Sequence, residues 1–232
     1  MWQKAILYLL LKQCNNHQIL LLMIFRKLKK LLNASLLDKI NFLSDVYDML
    51  KTATLYRILF KSVGKYSIIK RPLLISNPHF ISIGNKVFIR NGVRLEVVIH
   101  NQQKNPELSI DDNTNIEQNV HIVCHSKIKI GANVSITGNC CIVDVTHPYE
   151  DVNDRRKIGY RILNEDSFVE IGDGSFIGYG STILPNVKIG KYVVVGANSV
   201  VIHDIPDYSV VAGMPAKVIK QYNHEQGKWI NV

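Results

Sequence analysis

From residue 171 onward, aliphatic side chains recur at every sixth position without a slip: Ile171, Ile177, Ile183, Ile189, Val195 and Val201. Gly follows at 172, 178, 190 and 196. Small or β-branched residues stand four places on, at Ser175, Ser181, Val187, Val193 and Ser199. Six is a multiple of the strand period of two, so an extended chain keeps these side chains on one face. A helix, at about 3.6 residues per turn, would rotate them away. A short, fixed period implies a stack of like units around one continuous core. The pattern therefore predicts short parallel strands joined by corners.

The same pattern runs upstream with interruptions. It appears at Ile83, Ile89 and Leu95, resumes at Ile110, Ile116, Ile122 and Ile128, then changes register to Ile130, Ile136 and Ile142. Corners are expected at IGNKV (83–87), IDDNT (110–114), IGANV (130–134) and IGDGS (171–175), where Gly, Asn and Asp tolerate left-handed backbone. Two gaps break the stack. One lies between Leu95 and Ile110, around polar NQQKNP (101–106). The other lies between Ile142 and Ile171, where roughly twenty residues must leave the coil as a loop, 148–168.

The six-residue period with its small fourth position resembles the hexapeptide-repeat acyltransferases, and the match spans roughly residues 75–220. The resemblance implies a mainly β fold, a left-handed parallel β-helix, with an α-helical N-terminal extension and a short C-terminal tail. The handedness comes from the resemblance alone, because the general crossover rule favours the other hand. The expected organisation is a basic helical extension (1–71), the β-helix (72–215) and a tail (216–232). The family forms trimers with the active site between subunits, so a homotrimer is implied.

THPYEDVNDRR (146–156) opens the long loop directly after a strand. It is similar to the THP-x-x-x-x-x-R segment of the maltose, galactoside and nodulation O-acetyltransferases. There the His is the general base, which maps onto His147. The chemistry is reasonable in itself. A sugar hydroxyl is a poor nucleophile, and a neutral imidazole can take its proton as the oxygen attacks a thioester. No nucleophilic Ser or Cys is needed. Asp144, three residues before, is a candidate to hold the other ring nitrogen of His147. Asp151 is a candidate for the same task or for the acceptor sugar. Either is equally readable as a solvated loop carboxylate. Arg155 matches the family Arg that holds the loop.

VVVGANSVVIHDIPDYSVVAGMPAKVIK (193–220) resembles the final coil and exit of these transferases, where coenzyme A binds. Carried over, Ala197 contacts the pantetheine arm and Lys217 approaches a phosphate, which calls for a cation. Ile202-His203 stands where the family has Thr-Lys, so His203 is the remaining candidate for a second phosphate contact. The family's ILPG corner reads ILPN here, with Asn186 still able to turn. Tyr179 occupies a position beside the thioester in the family. Phe176 stands where the family often has Trp lining the acceptor pocket, and it reads equally well as core. Asn119, His121 and His125 precede the loop where acceptor contacts occur in relatives.

A zinc reading, as in the γ-class carbonic anhydrases of the same fold, needs three placed donors. His121 and His125 have the wrong spacing and no upstream partner is evident, so no metal is expected. Four cysteines, Cys14, Cys124, Cys140 and Cys141, show no disulfide framework, which fits a reducing cytosol and a cytoplasmic location. No P-loop or Rossmann fingerprint is present. The formal charge of +9 is uneven: residues 1–71 hold thirteen Lys/Arg against three Asp/Glu, and residues 72–232 hold fifteen against sixteen. Apolar runs 5–11 and 19–25 fall short of the about 18–20 residues that span a bilayer. With RKLKK (26–30) they suggest a basic amphipathic arm, lying either on an anionic membrane surface or on a neighbouring subunit. No nucleic-acid module is visible.

The resulting expectation is an acetyl-coenzyme A-dependent O-acetyltransferase acting on a sugar hydroxyl of a surface polysaccharide or its precursor. N-acetylation of an amino sugar and a non-catalytic repeat scaffold are the alternatives.

Overall fold

The computed structural model describes residues 34–100, 105–163 and 165–232. The apolar runs and the RKLKK stretch of the N-terminal arm lie outside them. The chain divides into two units, 1–47 and 48–232.

Helix α1 (Leu36–Lys51) begins at an N-cap serine, Ser35. The Asp38 amide donates to the Ser35 hydroxyl at 3.2 Å, and that hydroxyl donates to the Asp38 carboxylate at 2.8 Å. In the second unit, a π turn (Thr52–Tyr56) and the short α2 (Arg57–Leu59) continue the helical segment. Its end covers an open sheet edge. The Ile69 amide donates to the Thr52 hydroxyl at 2.9 Å, and the Lys51 ammonium donates to the Lys70 carbonyl at 2.7 Å. An exposed strand edge offers unpaired backbone groups, and this cover satisfies them.

The β-structure is a left-handed parallel β-helix, with three sheets each receiving one strand per coil. The first coil is β1 (Ser62–Val63), β2 (Ile68–Ile69) and β3 (Leu74–Ser76), so the β-helix starts ahead of the boundary expected at residue 72. Sheet A stacks β1, β4 (Ile81–Ile83), β7 (Glu107–Ile110), β10 (Lys127–Ile130), β13 (Phe168–Ile171) and β16 (Val187–Ile189). Sheet B stacks β2, β5 (Phe88–Ile89), β8 (Asn115–Ile116), β11 (Ser135–Ile136), β14 (Phe176–Ile177), β17 (Val194–Val195) and β19 (Ser209–Gly213). Sheet C stacks β3, β6 (Arg94–Val97), β9 (His121–Cys124), β12 (Cys141–Val143), β15 (Thr182–Ile183) and β18 (Val200–Val201).

The core is a set of in-register aliphatic ladders. In sheet B, Ile69, Ile89, Ile116, Ile136, Ile177, Val195 and Val211 stack coil on coil and are fully buried. Each such side chain contributes about 1.5–3 kcal/mol by leaving water. The apparent register change at Ile128/Ile130 is not a slip. Both residues lie on β10 and both point inward, as do Leu108 and Ile110 on β7. Early coils are longer, advancing 20 residues from Ile116 to Ile136, where later ones advance 18 from Ile177 to Val195.

The glycines divide into two kinds. Gly174 and Gly180 have φ of 69°, the left-handed corner; Asn113, Asn119, Asn133, Asn139, Asn186 and Asn198 do the same work elsewhere. Gly172 and Gly178 serve a different need. A Cβ at Gly178 would lie 2.5 Å from the Val195 carbonyl oxygen in the next coil, and one at Gly172 2.5 Å from Gly190 backbone.

The last residues are not a loose tail. β20 (Ala216–Asn223) and β21 (Lys228–Asn231) add antiparallel to β19 and close sheet B. Tyr192 stacks on Tyr208 at 5.3 Å, and Tyr222, His224 and Trp229 extend the aromatic cluster across the hairpin.

Candidate active site

The repeat is broken between β12 and β13, and the excursion spans 144–167, with Phe168 already in β13. Its two ends are zipped together. The Leu163 amide donates to the Thr146 carbonyl at 3.1 Å, and the His147 ring Nδ1 lies 2.9 Å from the Arg161 carbonyl. A carbonyl only accepts, so Nδ1 carries a proton, and in the neutral ring Nε2 carries the lone pair. The His147 side chain is exposed, and Nε2 is the basic atom that can take a proton from an incoming group.

Asp144 does not hold His147. It occupies the inward place after Ile142, equivalent in register to Cys124 after Ile122 and Val97 after Leu95. It is fully buried. Its carboxylate accepts the Ser126 amide at 2.9 Å and the Lys127 amide at 2.7 Å, and it also accepts the His125 amide. Burial pushes its pKa above the ordinary carboxylate value, against the pull of the His125, Ser126 and Lys127 amides. Asp144 therefore ties the corner between β9 and β10. Asp151 is likewise turned elsewhere: its carboxylate accepts the Asn153 amide at 2.9 Å, closing a local turn.

The residue that organises the loop is Arg161, which no motif had singled out. Its side chain is buried, with the residue 8% exposed. The guanidinium donates to the carbonyls of Asp151 (3.1 Å), Asp154 (2.5 Å) and Arg156 (2.8 Å from Nη2, 3.1 Å from Nε), and Nε lies 3.4 Å from the Asp154 carboxylate. Arg156 pairs with Asp154, and its guanidinium beside that carboxyl holds the Asp154 pKa down at about 2. Arg155, expected to hold the loop, is exposed.

The proposed acceptor contacts are scattered. His121 faces outward on β9, in register with Arg94 and Cys141. His125 is buried, at 3% exposure, in the corner tied by Asp144, so it does not face a ligand in solvent. Asn119 is a left-handed corner residue at φ 59° and takes its place in the ladder of corner asparagines. Phe176 points outward on β14 at 43% exposure, between Ser135 and Val194, which removes the core reading.

The proposed cofactor contacts form one group and an outlier. Tyr179 and Ala197 occupy equivalent corners of successive coils between sheets B and C, joined by the Asn198 amide donating to the Tyr179 carbonyl at 2.7 Å. The Tyr179 hydroxyl bonds the Asn139 side chain. Lys217 lies on β20 opposite Ala212, at the exposed end of sheet B, in a strand rather than a helix start. His203 lies past the other end of β18, at the corner toward sheet A, the corner from which the His147 loop also departs. The expected base and the expected cofactor contacts thus fall on two different edges of sheet C. Cys124, Cys140 and Cys141 are free, and burial raises the pKa of each thiol, so none is primed as a thiolate. Among the described residues, no three His, Cys, Asp or Glu side chains gather as a metal site.

A stacked aliphatic repeat, an interrupting loop with an oriented imidazole and a glycine-lined corner define a class, and comparison with known proteins agrees. Residues 168–203 match the family model described as bacterial transferase hexapeptide (six repeats). The chain is 35% identical over 193 residues to WbbJ of Escherichia coli K12, covering 81% of this chain and 92% of that protein; WbbJ is named for O-acetyl transfer in lipopolysaccharide biosynthesis. It is 38% identical over 122 residues to YJL218W of Saccharomyces cerevisiae, named as an acetyltransferase, covering 53% of this chain and 60% of that one. Its fold matches that of AntD, an N-acyltransferase from Bacillus cereus solved with dTDP and 3-hydroxybutyryl-CoA, at 24% identity and a TM-score of 0.62, over 77% of this chain and 92% of AntD. The chain belongs to the hexapeptide-repeat transferase family, within its acetyltransferases.

Proposed function

We propose that this chain is an acetyl-coenzyme A-dependent O-acetyltransferase whose acceptor is a sugar hydroxyl of a surface polysaccharide or its precursor. The observation that carries the reading is the His147 ring, with Nδ1 on the Arg161 carbonyl and Nε2 left basic. Nε2 takes the hydroxyl proton as the oxygen attacks the thioester carbonyl carbon. The tetrahedral intermediate expels the thiolate of coenzyme A, which recovers the proton from the imidazolium. A positioned base of this kind contributes about a hundred- to ten-thousand-fold in rate. A backbone amide of an adjacent coil is the fitting oxyanion donor. The raised thiol pKa values favour direct attack over a cysteinyl intermediate.

Coenzyme A is assigned to Tyr179, Ala197 and Lys217, and the acceptor to two outer faces, sheet C at His121 and sheet B at Phe176. His147 and the coenzyme A group sit on opposite edges of sheet C. A homotrimer that sets one edge of a copy against the other edge of its neighbour supplies a complete site. The likeness to WbbJ along nearly its whole length supports O-transfer and the glycan acceptor. The excess of basic residues before residue 72 supports a cytoplasmic enzyme held at the inner membrane surface.

The test is thiol release from acetyl-coenzyme A over a panel of sugars, nucleotide sugars and oligosaccharides, with wild type and His147→Ala compared. Turnover on one acceptor that falls about a hundred-fold or more in the variant is expected. Unchanged turnover in the variant overturns the base assignment. A product stable to mild alkali makes the enzyme an N-acyltransferase, and absence of coenzyme A binding makes the chain a scaffold.

A further inference from the structure

We infer that Arg161 is a positioning residue for the reaction: its guanidinium folds the 151–156 segment into a clasp that holds its own carbonyl on His147 Nδ1 and so fixes which nitrogen is the base. The inference rests on His147 being that base.

Three observations carry it. The first is burial: the residue sits in a largely exposed loop and is itself 8% exposed. The second is the pattern of bonds. Four of its hydrogen bonds run to main-chain carbonyls of Asp151, Asp154 and Arg156, none of which depends on the identity of those residues. A planar fork with five donors suits several carbonyls at once, which a lysine cannot reproduce. The third is the other end of the same residue. The Arg161 amide donates to the Ile158 carbonyl at 2.9 Å, closing a one-turn 3-10 helix (Ile158–Tyr160), and its carbonyl accepts from His147 at 2.9 Å. The side chain thus gathers the outer arm of the loop while the main chain of the same residue receives the imidazole. With the clasp lost, the carbonyl is no longer held on Nδ1. The ring then divides between tautomers, and the form protonated at Nε2 cannot accept a proton there.

The test uses the full-length protein with ¹⁵N-labelled histidine, which needs no acceptor. The His147 ring is assigned by its disappearance in His147→Ala. In wild type, its spectrum should show a protonated Nδ1 and an unprotonated Nε2. In Arg161→Met and Arg161→Lys the two nitrogens should move toward averaged values, while the melting temperature shows that the β-helix remains folded. Arg156→Ala removes the same charge from the same loop and should keep the wild-type spectrum. With an acceptor in hand, Arg161→Met should lower kcat at least ten-fold and leave KM for acetyl-coenzyme A unchanged. An unaltered His147 spectrum in a folded Arg161→Met protein overturns the inference and leaves the base assignment standing. An Arg156→Ala spectrum that averages equally also overturns it. Full turnover in His147→Ala overturns both.

Discussion

Removing the Asp144 carboxylate should destabilise the β-helix and leave the imidazole in place. The cost can be counted from its three amides. The His125 amide is fully buried, so Asp144→Ala leaves it unpaired, while the Ser126 and Lys127 amides are part-buried and can recruit water. One full penalty and two partial ones sum to about 2–4 kcal/mol at about 1–3 kcal/mol per stranded donor. Asp144→Asn keeps one acceptor oxygen and should lose about half as much. The pH dependence has a definite sign. Burial raises the folded-state pKa above the unfolded value, so the folded form holds its proton to higher pH. The contribution of this group is therefore complete below about pH 4, the ordinary carboxylate range, and declines as pH rises through the folded value. Urea unfolding of wild type and Asp144→Asn across that range should show a stability difference that shrinks with rising pH. Turnover per folded molecule should stay close to wild type in Asp144→Asn, because His147 Nδ1 is held by Arg161. A difference that grows with pH refutes the burial argument. A loss below about 1 kcal/mol in Asp144→Ala refutes the amide count. A collapse of turnover in folded Asp144→Asn would return Asp144 to the catalytic machinery.

Two further expectations concern the coils and the donor site. Gly178→Ala places a methyl 2.5 Å from the Val195 carbonyl oxygen and 2.6 Å from the Ala197 amide, so two coils must part; a loss of about 1–3 kcal/mol in urea unfolding is expected, and a neutral result would deny the close approach. Lys217→Ala removes an exposed cation at the end of sheet B and should raise KM for acetyl-coenzyme A several-fold with kcat held, while dephospho-coenzyme A should lose discrimination if Lys217 meets the 3′-phosphate; equal KM values in variant and wild type would remove it from the donor site.

The ladder of aliphatic residues was legible from Ile83 to Val201, because a period of six cannot change faces and every member is buried, while its ends at Ile69 and Val211 went unread. Ile128 and Ile130 looked like a slip only because the six-residue template allows one inward residue per side. Four-residue strands such as β10 seat two. The C-terminal hairpin was hidden for a different reason. Strands β20 and β21 pair across a turn, carry no six-residue period and are exposed except where Ala216 and Val218 meet the core, so their hydrophobicity gives little sign of the sheet they join.

The candidate site was legible only as motifs. His147 stood out because its neighbours form a motif, but its partner is a main-chain carbonyl, and a carbonyl leaves no mark on a sequence. Asp144 carried a mark that spacing alone left open. A carboxylate in the inward place of an aliphatic ladder, where neighbouring coils have Val97 and Cys124, signals main-chain donors to be satisfied rather than a partner for the histidine three residues on. The distinction follows from the architecture. Inside the coils, each main-chain group is committed to the coil above or below, and each inward slot is filled. An imidazole can be oriented by a carbonyl only where the chain leaves the stack, and a long excursion needs its own internal donor to stay folded. Arg161 supplies that donor from the return arm of the loop, so His147 and the carbonyl that receives its ring lie fourteen positions apart and share a single hydrogen bond.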